Sequence, residues 1–347
     1  MSKPEKVLRS LDDLAVEGFS VEGLDPVIER YDVGVSALMK ERIAHANDPI
    51  GRQFLPTKHE LDILPDEHTD PIGDEAHSPV KGIVHRYPDR VLFKVTNVCR
   101  VYCRYCFRRD RIGTGSDHLS ASDITAALDY IASHSEIWEV ILTGGDPLVL
   151  SAKKLKQIFD ALADIDHVKI VRLHSRIPVV DPAFINDTMM SVLENFPKQI
   201  QIVLHVNHRD EITTIAEEKF IELRRVGCTL FAQSVLLQGV NDTVDALGDL
   251  FRHLIASGVK PYYLHHLDRA PGTSQFRISL QKGQALMQAL QGQISGPCLP
   301  SYVLDVPGGY GKIPVNESYV THLGAGRYRL RDIHGGDHLY FDGECDD

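Results

Sequence analysis

Short apolar runs alternate with longer amphipathic segments over most of the chain, from residue 91 onward. The runs have the length and β-branched content of buried strands, and several of the segments open behind a Ser, Asp or Asn cap. The predicted strands are 91–96, 138–143, 168–173, 200–206, 229–236 and 259–264, with a last extended piece at 302–306. The predicted helices are 120–134, 152–163, 183–195, 211–226, 242–257 and 279–291. Six strand-then-helix units in a row predict an α/β fold, a partial (β/α)6 TIM-like barrel with a parallel sheet and right-handed crossovers.

The other parts of the chain lack this alternation. Residues 1–50 contain short helical pieces interrupted by Gly and Pro, which predicts an N-terminal helical extension. Residues 51–90 are rich in Pro, Asp and His and predict a long ordered loop, and residues 316–347 predict a short C-terminal tail. The barrel core is therefore expected at residues 91–315.

Polar side chains follow the predicted strands at the points where the strands end. Active sites of parallel sheets and barrels lie at the C-terminal ends of the strands, where successive loops converge. A single polar loop would mean little, but six in succession predict an enzyme. The segments are the cysteines after the first strand, TGGDP at 143–147, HSR at 174–176, HVNHRDE at 205–211, Gln233 and Ser234, and HHLDR at 265–269.

Composition and charge narrow the class of protein. A content of 43% hydrophobic and 24% charged residues is typical of a soluble globular protein. The formal net charge of −11 argues against a broad nucleic-acid or anionic-membrane surface, so a small-molecule partner is expected. The N-terminus lacks the apolar core of a signal peptide, which predicts a cytoplasmic protein with reduced cysteines.

Three of the six cysteines, Cys99, Cys103 and Cys106, lie close together after the first predicted strand. Clustered cysteines in a reducing compartment favour a metal or catalytic role. A structural zinc site needs four ligands, and no second cysteine pair lies nearby in the sequence. Three thiolates on a short loop suit a [4Fe–4S] cluster whose fourth iron is open to another ligand. Zinc and a coincidental grouping remain the alternatives.

The spacing C-x3-C-x-aromatic-C, with Tyr105 before the last cysteine, resembles the signature of the radical S-adenosylmethionine (SAM) enzymes. The resemblance implies that the amino acid end of SAM binds the fourth iron of the cluster. TGGDP resembles the glycine-rich segment of that family that binds the methionine amine. Gly144 and Gly145 permit close backbone approach, and Asp146 supplies an anionic acceptor.

A second glycine-rich loop ends in Lys312. It is not a Walker phosphate loop, because Val306 and Ile313 stand where Gly and Ser or Thr are required. A lysine on such a loop can form a Schiff base with a carbonyl cofactor. Taken alone, the loop is better explained as a surface loop with an exposed lysine.

Eight segments in order resemble the lysine 2,3-aminomutase family, which uses SAM and pyridoxal 5′-phosphate (PLP). This agreement is more specific than the cysteine spacing, and it implies a radical SAM barrel with a loop region before it that contributes to the PLP site. The segments are HRYPDRVLF, CRYCFRRD, TGGDPL, HSRIPVV, HVNHRDEIT, QSVLLQGVND, KPYYLHHLD and LDVPGGYGKIPV, between residues 85 and 315.

The resemblance implies roles toward the cofactors. Lys312 matches the lysine that carries PLP, and Arg86 and Arg90 match arginines near the PLP phosphate. His205 and Gln233 match residues that line the SAM pocket. The remaining histidines receive no assignment.

The resemblance also implies how a substrate is held. Arg108 matches the arginine that binds the substrate carboxylate as a bidentate pair, and Asp268 and Asp305 match the carboxylates that receive the ε-ammonium. Two facing acids select a substrate with a distal cation, because a buried pair of carboxylates without that charge is strongly unfavourable. Without the resemblance, Asp268 could cap the next segment and Arg108 could pair with Asp110.

The implied reaction is the conversion of L-lysine to β-lysine through a 5′-deoxyadenosyl radical, with arginine or another amino acid as the alternative substrate. We further expect an electron donor such as flavodoxin or ferredoxin and a homo-oligomer. Another class of radical SAM enzyme and a non-catalytic iron–sulfur protein remain as competing interpretations.

Two features differ from the aminomutases of free lysine. Cys345 stands alone where those enzymes carry a cysteine-rich zinc segment, and position 242 is Asp where a further zinc thiol is expected. The phrases CRYCFRR and PYYLHHLD resemble the shorter relatives that supply β-lysine for elongation factor P, whereas those relatives tend to lose the DxPGGxGK phrase that is intact here. The sequence therefore leaves the pathway open.

Overall fold

The computed structural model describes residues 7–113, 119–316 and 318–342. Within these ranges a nine-stranded sheet follows chain order from one edge to the other. The strands from the second to the eighth run parallel, and the first and ninth are antiparallel to their neighbours. They are β1 (Ile83–Tyr87), β2 (Arg90–Thr96), β3 (Glu139–Gly144), β4 (Ile170–Ser175), β5 (Gln199–His205), β6 (Thr229–Val235), β7 (Lys260–His265), β8 (Ser301–Val306) and β9 (Gly311–Pro314).

Helices connect the parallel strands and precede the sheet. The helices are α1 (Leu11–Val16), α2 (Asp25–Ile28), α3 (Ala37–Arg42), α4 (Gly51–Phe54), α5 (Ala121–Ser133), α6 (Ala152–Ala163), α7 (Ile177–Val180), α8 (Asp187–Glu194), α9 (Thr214–Arg225), α10 (Val244–Ala256) and α11 (Leu280–Leu290). Short 3-10 turns occur at Lys58–Leu61, Glu75–His77, Pro147–Val149, Pro182–Phe184, Arg209–Glu211, Ser274–Phe276 and Gly296–Cys298. At the start of each longer connecting helix, a capping side chain accepts a hydrogen bond from a backbone N–H of the first turn. The capping residues are Ser120, Ser151, Asn186, Thr213, Thr243 and Ser279.

Alternate residues of the strands face either the helices or the interior of the sheet. Val91 and Phe93 of β2 are buried in the main hydrophobic core with the helices. Leu92, between them, lines an interior cavity. The two edges of the sheet meet, because the Lys312 backbone N–H donates to the Tyr87 hydroxyl at 2.7 Å. The sheet is therefore a nearly closed barrel. Its outer face packs apolar side chains against the helices, and its interior contains the polar side chains that line the cavity.

This architecture confirms the predicted α/β barrel, and the predicted strands coincide closely with β2 to β8. Two helices begin clearly later than predicted. The segment from 183 starts as the turn Pro182–Phe184, and α8 begins only after its Asn186 cap. The segment from 211 starts at the end of the turn Arg209–Glu211, and α9 begins only after its Thr213 cap. The apolar pattern did not predict β1 and β9, which close the barrel. The predicted domain bounds remain predictions.

The N-terminal segment packs over the cysteine loop. Met39 belongs to a hydrophobic cluster that includes Val101, and Cys103 packs against the same cluster. The Tyr102 backbone N–H donates to the carbonyl of Gly34 at 2.8 Å. The extension therefore shields the loop from solvent.

The predicted C-terminal tail contains a small sheet. Its antiparallel strands are β10 (Val320–Gly324), β11 (Arg327–Arg331) and β12 (Asp337–Phe341). Large apolar side chains remain exposed on it, with Leu339 83% and Phe341 61% accessible. Cys345 lies outside the described residues. In the described part of the chain, no helix has the length and apolar character needed to cross a membrane.

Candidate active site

The three clustered cysteines lie on the loop after β2 with their thiols close together. Burial raises the pKa of Cys99 well above the usual thiol value, and the nearby charges of Asp146, Cys106 and Cys103 raise it further. Burial and Cys103 raise the pKa of Cys106 to about 11. Bound iron would offset this cost of ionising the thiols, because metal ligation requires thiolates. Among the described residues, no three His, Cys, Asp or Glu side chains converge as a single metal ion requires, and a cluster bound through separate irons allows wider spacing.

Buried arginines fix the conformation of the cysteine loop. The Nε atom of Arg104 donates to both oxygens of Glu60 at 3.0 Å, and Arg109 also contacts this carboxylate. Arg109 Nη1 further donates to the carbonyl of Gly272 at 2.9 Å. These charge-assisted bonds anchor both sides of the loop to the rest of the molecule.

The TGGDP turn supports the start of the cysteine loop. The Gly145 N–H donates to Thr96 O at 2.6 Å, and a β-carbon at Gly144 or Gly145 would clash with the carbonyls of Thr96 and Val98. The approach that these glycines permit is thus to the chain itself. Asp146 accepts hydrogen bonds from Ser175 Oγ at 2.7 Å and from backbone N–H groups of the next turn. This carboxylate is therefore fully engaged with protein donors, and its predicted contact with SAM remains a prediction.

Eight of the predicted site residues line one cavity of about 250 Å³ inside the barrel. They come from six different strands, the cysteine loop and the loop after β7, so only the closed sheet brings them together. The residues are Arg86, Arg90, Arg108, His205, Gln233, Asp268, Asp305 and Lys312. Gly144, Gly145, Asp146 and the three cysteines do not line this cavity, although Arg108 connects it to the cysteine loop.

Lys312 lies on β9, next to the seam of the barrel, which is the place where β9 meets β1. Its ammonium contacts the carboxylate of Asp305. Lys312 Nζ is also 3.3 Å from Nδ1 of His265. Although burial alone raises the pKa of Asp305, the hydrogen bond from His265 and the charge of Lys312 hold that pKa well below the usual range. Asp305 is therefore ionised and binds an alkylammonium group in this structure.

Asp268 faces Asp305 in the same cavity. Burial, followed by the negative charge of Asp305, raises the pKa of Asp268 to about 7. The two acids therefore differ in protonation at neutral pH: Asp305 is ionised, and Asp268 is close to half-protonated. A second cation entering between them would favour ionisation of both.

Asp74 connects two of the predicted anion-binding arginines. Its carboxylate lies 2.8 Å from Arg108 Nη2 and 3.1 Å from Arg86 Nη2. Arg86 also lies 4.0 Å from Asp305. Arg108 thus pairs with Asp74 rather than through the Asp110 contact considered above.

The cavity presents several nitrogen atoms that have no hydrogen-bond partner in the described part of the chain. They are the Nε atoms of Arg86 and Arg172 and the Nε2 atoms of His174 and His265. Burial lowers the pKa of His205 to about 3 and that of His265 to about 4, so both imidazoles are neutral. Orphaned donors around a lysine and two arginines fit a ligand that carries a phosphate and other acceptors, as PLP does.

The two predicted SAM residues contact each other, whereas Arg90 contacts the turn between β1 and β2. Gln233 Nε2 lies 2.6 Å from His205 Nε2, on adjacent strands in register. Arg90 lies at the start of β2, bonded to Asp89 at 2.6 Å and stacked on the Tyr87 ring at 4.0 Å. All of these groups remain accessible from the cavity.

Sequence reasoning missed Asp74 and Tyr87. Asp74 stands in the irregular region before the barrel, where no spacing relates it to Arg108, and Tyr87 gains its role only when the sheet closes. Arg176, within the noted HSR segment, contacts Cys103 and also received no assignment.

Comparison with known proteins agrees with this geometry. Models for the radical SAM superfamily and for lysine-2,3-aminomutase match residues 93–253 and 287–344. The chain is 41% identical to the L-lysine 2,3-aminomutase of Methanococcus maripaludis over 83% of its own length and 66% of the relative's. It is 35% identical to the L-lysine 2,3-aminomutase of Escherichia coli over 91% of its own length and 92% of the relative's.

A glutamate 2,3-aminomutase of Clostridioides difficile is also similar, at 37% identity over 83% of this chain and 68% of the relative. The chain thus spans about two thirds of the Methanococcus and Clostridioides relatives and nearly all of the Escherichia relative. At these levels of identity and coverage, the chain belongs to the lysine 2,3-aminomutase family of radical SAM enzymes.

Proposed function

We propose that this protein is a radical SAM and PLP-dependent 2,3-aminomutase that converts L-lysine to β-lysine. One observation carries the substrate assignment: the ammonium of a lysine side chain, Lys312, already contacts Asp305 inside the cavity. Asp268 lies across from it, and Arg108 lines the same cavity. The site therefore offers two acids to a distal ammonium and a guanidinium to a carboxylate.

The cofactors are a [4Fe–4S] cluster, SAM and PLP. Cys99, Cys103 and Cys106 would hold three irons of the cluster, with the Gly144–Gly145 turn beside them. When bound, the cluster with SAM supplies hydrogen abstraction by a radical, and PLP supplies a carbonyl group for the migrating amine.

Three groups of residues would hold the organic cofactors. Lys312 would bind PLP, with Arg86 and Arg90 toward its phosphate, and His205 with Gln233 would bind SAM. The unpartnered nitrogen of Arg86 supports an anionic ligand at that end of the cavity. The Tyr87 hydroxyl fixes the backbone of Lys312, which orients its side chain into the barrel.

The substrate would lie between two charged ends of the cavity. Arg108 would bind its carboxylate, with Asp74 holding the guanidinium in position from the other side. Asp305 and Asp268 would bind the ε-ammonium once the Lys312 nitrogen no longer occupies Asp305. The buried acids thus discriminate by charge, because desolvated carboxylates need a cationic partner.

Glutamate and arginine are the competing substrates. A glutamate side chain would bring a third carboxylate to Asp268 and Asp305. Repulsion between like charges makes this unfavourable in a buried cavity. Arginine carries a distal cation, but its guanidinium is larger and planar, whereas the present occupant of Asp305 is a primary ammonium. Lysine is therefore the favoured substrate.

The test is anaerobic reconstitution with iron, sulfide, PLP, SAM and a reductant, followed by mass spectrometry of reactions with lysine, arginine and glutamate. We expect β-lysine as the dominant product. Lys312→Ala should lose both the PLP absorption and the product. Conversion of arginine with unchanged lysine would overturn the substrate assignment, and a protein that binds a cluster but no PLP would overturn the reaction.

We also propose a cytoplasmic location, an electron donor of the flavodoxin or ferredoxin type, and a homo-oligomeric assembly. A low-potential one-electron donor is required because the cluster must be reduced in each activation. Exposed apolar side chains on the C-terminal sheet, such as Leu339 and Phe341, support self-association. Light scattering of the purified protein tests the assembly.

A further inference from the structure

Arg176 is a buried charged residue to which the proposed reaction assigns no role. It follows β4 directly and is only 5% exposed. Its backbone N–H donates to Asp146 Oδ2 at 2.7 Å, so the residue is tied to the turn that supports the cysteine loop. A guanidinium buried at this depth needs partners that compensate its desolvation.

One of those partners is a cysteine of the proposed cluster site. Arg176 Nη1 lies 2.7 Å from the sulfur of Cys103, and the same nitrogen contacts the hydroxyl of Tyr105. At this distance the guanidinium N–H can donate a hydrogen bond to the sulfur, which is a weak acceptor. The guanidinium thus faces a proposed cluster ligand rather than the substrate cavity.

The other side of the guanidinium is held by fixed acceptors. Nη2 donates to Gln53 Oε1 at 2.8 Å and to Glu211 Oε2 at 2.7 Å. Glu211 is itself held, because its Oε1 accepts from Gln53 Nε2 at 3.0 Å and from the Asn207 backbone N–H at 2.8 Å. The Phe54 ring lies 4.5 Å from the guanidinium carbon. This arrangement prevents Arg176 from swinging away when Cys103 binds iron.

We propose that Arg176 is a positioning residue that donates a hydrogen bond to the cluster-bound sulfur of Cys103 and raises the reduction potential of the cluster, while Glu211 limits that increase. The inference rests on the proposed function, in which Cys103 holds one iron. Reduction adds one electron, supplied by the external one-electron donor, and so adds negative charge to the cluster. A nearby cation and an N–H to a ligand sulfur stabilise the reduced form, and a nearby anion opposes this effect.

The test compares variants in a redox titration followed by electron paramagnetic resonance, with the reconstituted full-length protein and no SAM. Arg176→Met should lower the ratio of reduced to oxidised cluster at a fixed potential by about tenfold, which corresponds to a shift of about 59 mV to more negative potential. Arg176→Lys keeps the charge and should show a smaller shift in the same direction. Glu211→Gln should shift the potential upward, and this opposite sign would not result from a general loosening of the loop.

Lys198→Met is the control, because Lys198 is a cation just before β5, outside the substrate cavity, where its ammonium donates to the carbonyl of Leu162 at 2.8 Å. This variant should leave the potential unchanged. Iron content is measured for every variant. Full iron loading of Arg176→Met with the wild-type potential would overturn the inference and leave the proposed function intact, whereas failure of the wild type to bind a cluster would overturn the proposed function itself. If Arg176→Met does not hold iron, Arg176→Lys and Glu211→Gln decide. A lower potential in Arg176→Lys with a higher potential in Glu211→Gln supports the inference, and unshifted potentials or shifts of equal sign overturn it.

Discussion

At the residue scale, Asp305 relates the two amines on which the proposed reaction depends. It contacts Lys312 on the neighbouring strand and faces Asp268 across the cavity. In the proposed function, this carboxylate would become available to the substrate only after PLP has engaged the lysine nitrogen. This order couples the presence of the cofactor to substrate binding.

Replacing Asp305 with Asn tests this role. We expect kcat/KM for lysine to fall by about 30-fold or more, because removing one partner of a buried charge pair costs about 2–5 kcal/mol. The measurement is β-lysine formation by mass spectrometry. The matched control is Asp332→Asn, an exposed acid that pairs with His338 in the C-terminal sheet and should leave the rate unchanged. A wild-type value for Asp305→Asn would contradict the ammonium site.

The pKa of Asp268, raised to about 7 by burial and by Asp305, predicts a pH dependence of lysine binding. Below pH 7 the acid is protonated and the pair carries one negative charge, whereas above pH 7 the pair carries two. Lysine affinity, measured on PLP-loaded protein without SAM, should therefore increase from pH 6 to pH 8, by up to about tenfold per unit below the pKa.

Asp268→Asn should remove this dependence, and an unchanged slope in that variant would disprove the assignment.

The raised pKa of Asp268 also has a consequence for folding. Between the usual Asp pKa of 3.8 and about 7, the native protein retains a proton that the unfolded chain has released. The stability contributed by the protonated acid is therefore lost as pH increases through 7.

At the element scale, the turn after β3 determines how the cysteine loop begins. Gly145→Ala would place a β-carbon against the backbone of Val98, which cannot move as a flexible side chain can. We expect a loss of about 1–3 kcal/mol in the free energy of unfolding, together with lower iron content after reconstitution.

Thermal unfolding and iron analysis measure both effects. Gly296→Ala is the control, because its added β-carbon meets open space. Full iron retention by Gly145→Ala would show that the turn does not support the loop.

The strands and helices that could be predicted from the sequence are those in which the pattern of apolar residues follows the buried face of the element. β2 to β8 and their helices follow from apolar runs and caps, since both faces of a parallel strand need cover. β1 has only two apolar residues before His85 and Arg86, and β9 is a four-residue strand at the end of a glycine-rich loop. Their strand character arises from pairing at the edges of the barrel. The strands of the C-terminal sheet are mostly exposed and so lack a core-facing pattern.

The candidate site shows the same division. Cys99, Lys312 and the paired acids could be named from motifs, because their chemistry demands specific residue types. The partners that position them could not: Asp74 and Arg176 act across long sequence separations, and only the folded chain shows which arginine meets which anion. Sequence thus predicts the reactive groups better than it predicts their supports.

At the scale of the whole molecule, the N-terminal segment and the barrel share the cysteine loop. Met39 is fully buried in the cluster that includes Val101 and contacts Cys103. Met39→Ala should cost about 2–5 kcal/mol in the free energy of unfolding and should also increase iron loss to a chelator, because the cavity lies beneath the loop.

Met287→Ala makes a similar cavity in the main core, on the buried face of α11 and away from the cysteines. It should lower stability without increasing iron loss. Equal iron loss from both variants would show that the N-terminal segment has no special role in shielding the loop.

The seam between β1 and β9 imposes an order on biogenesis. The nine strands of the barrel sheet follow one another in the order of synthesis. The hydrogen bond from Lys312 to Tyr87 therefore joins the first strand of this sheet to leave the ribosome with the last strand of the same sheet. A nascent chain that has released only β1 to β8 already displays all three clustered thiols but has no lysine for PLP. If these residues hold the cofactors as proposed, iron–sulfur delivery can precede release from the ribosome, whereas PLP capture has to wait until the barrel is complete.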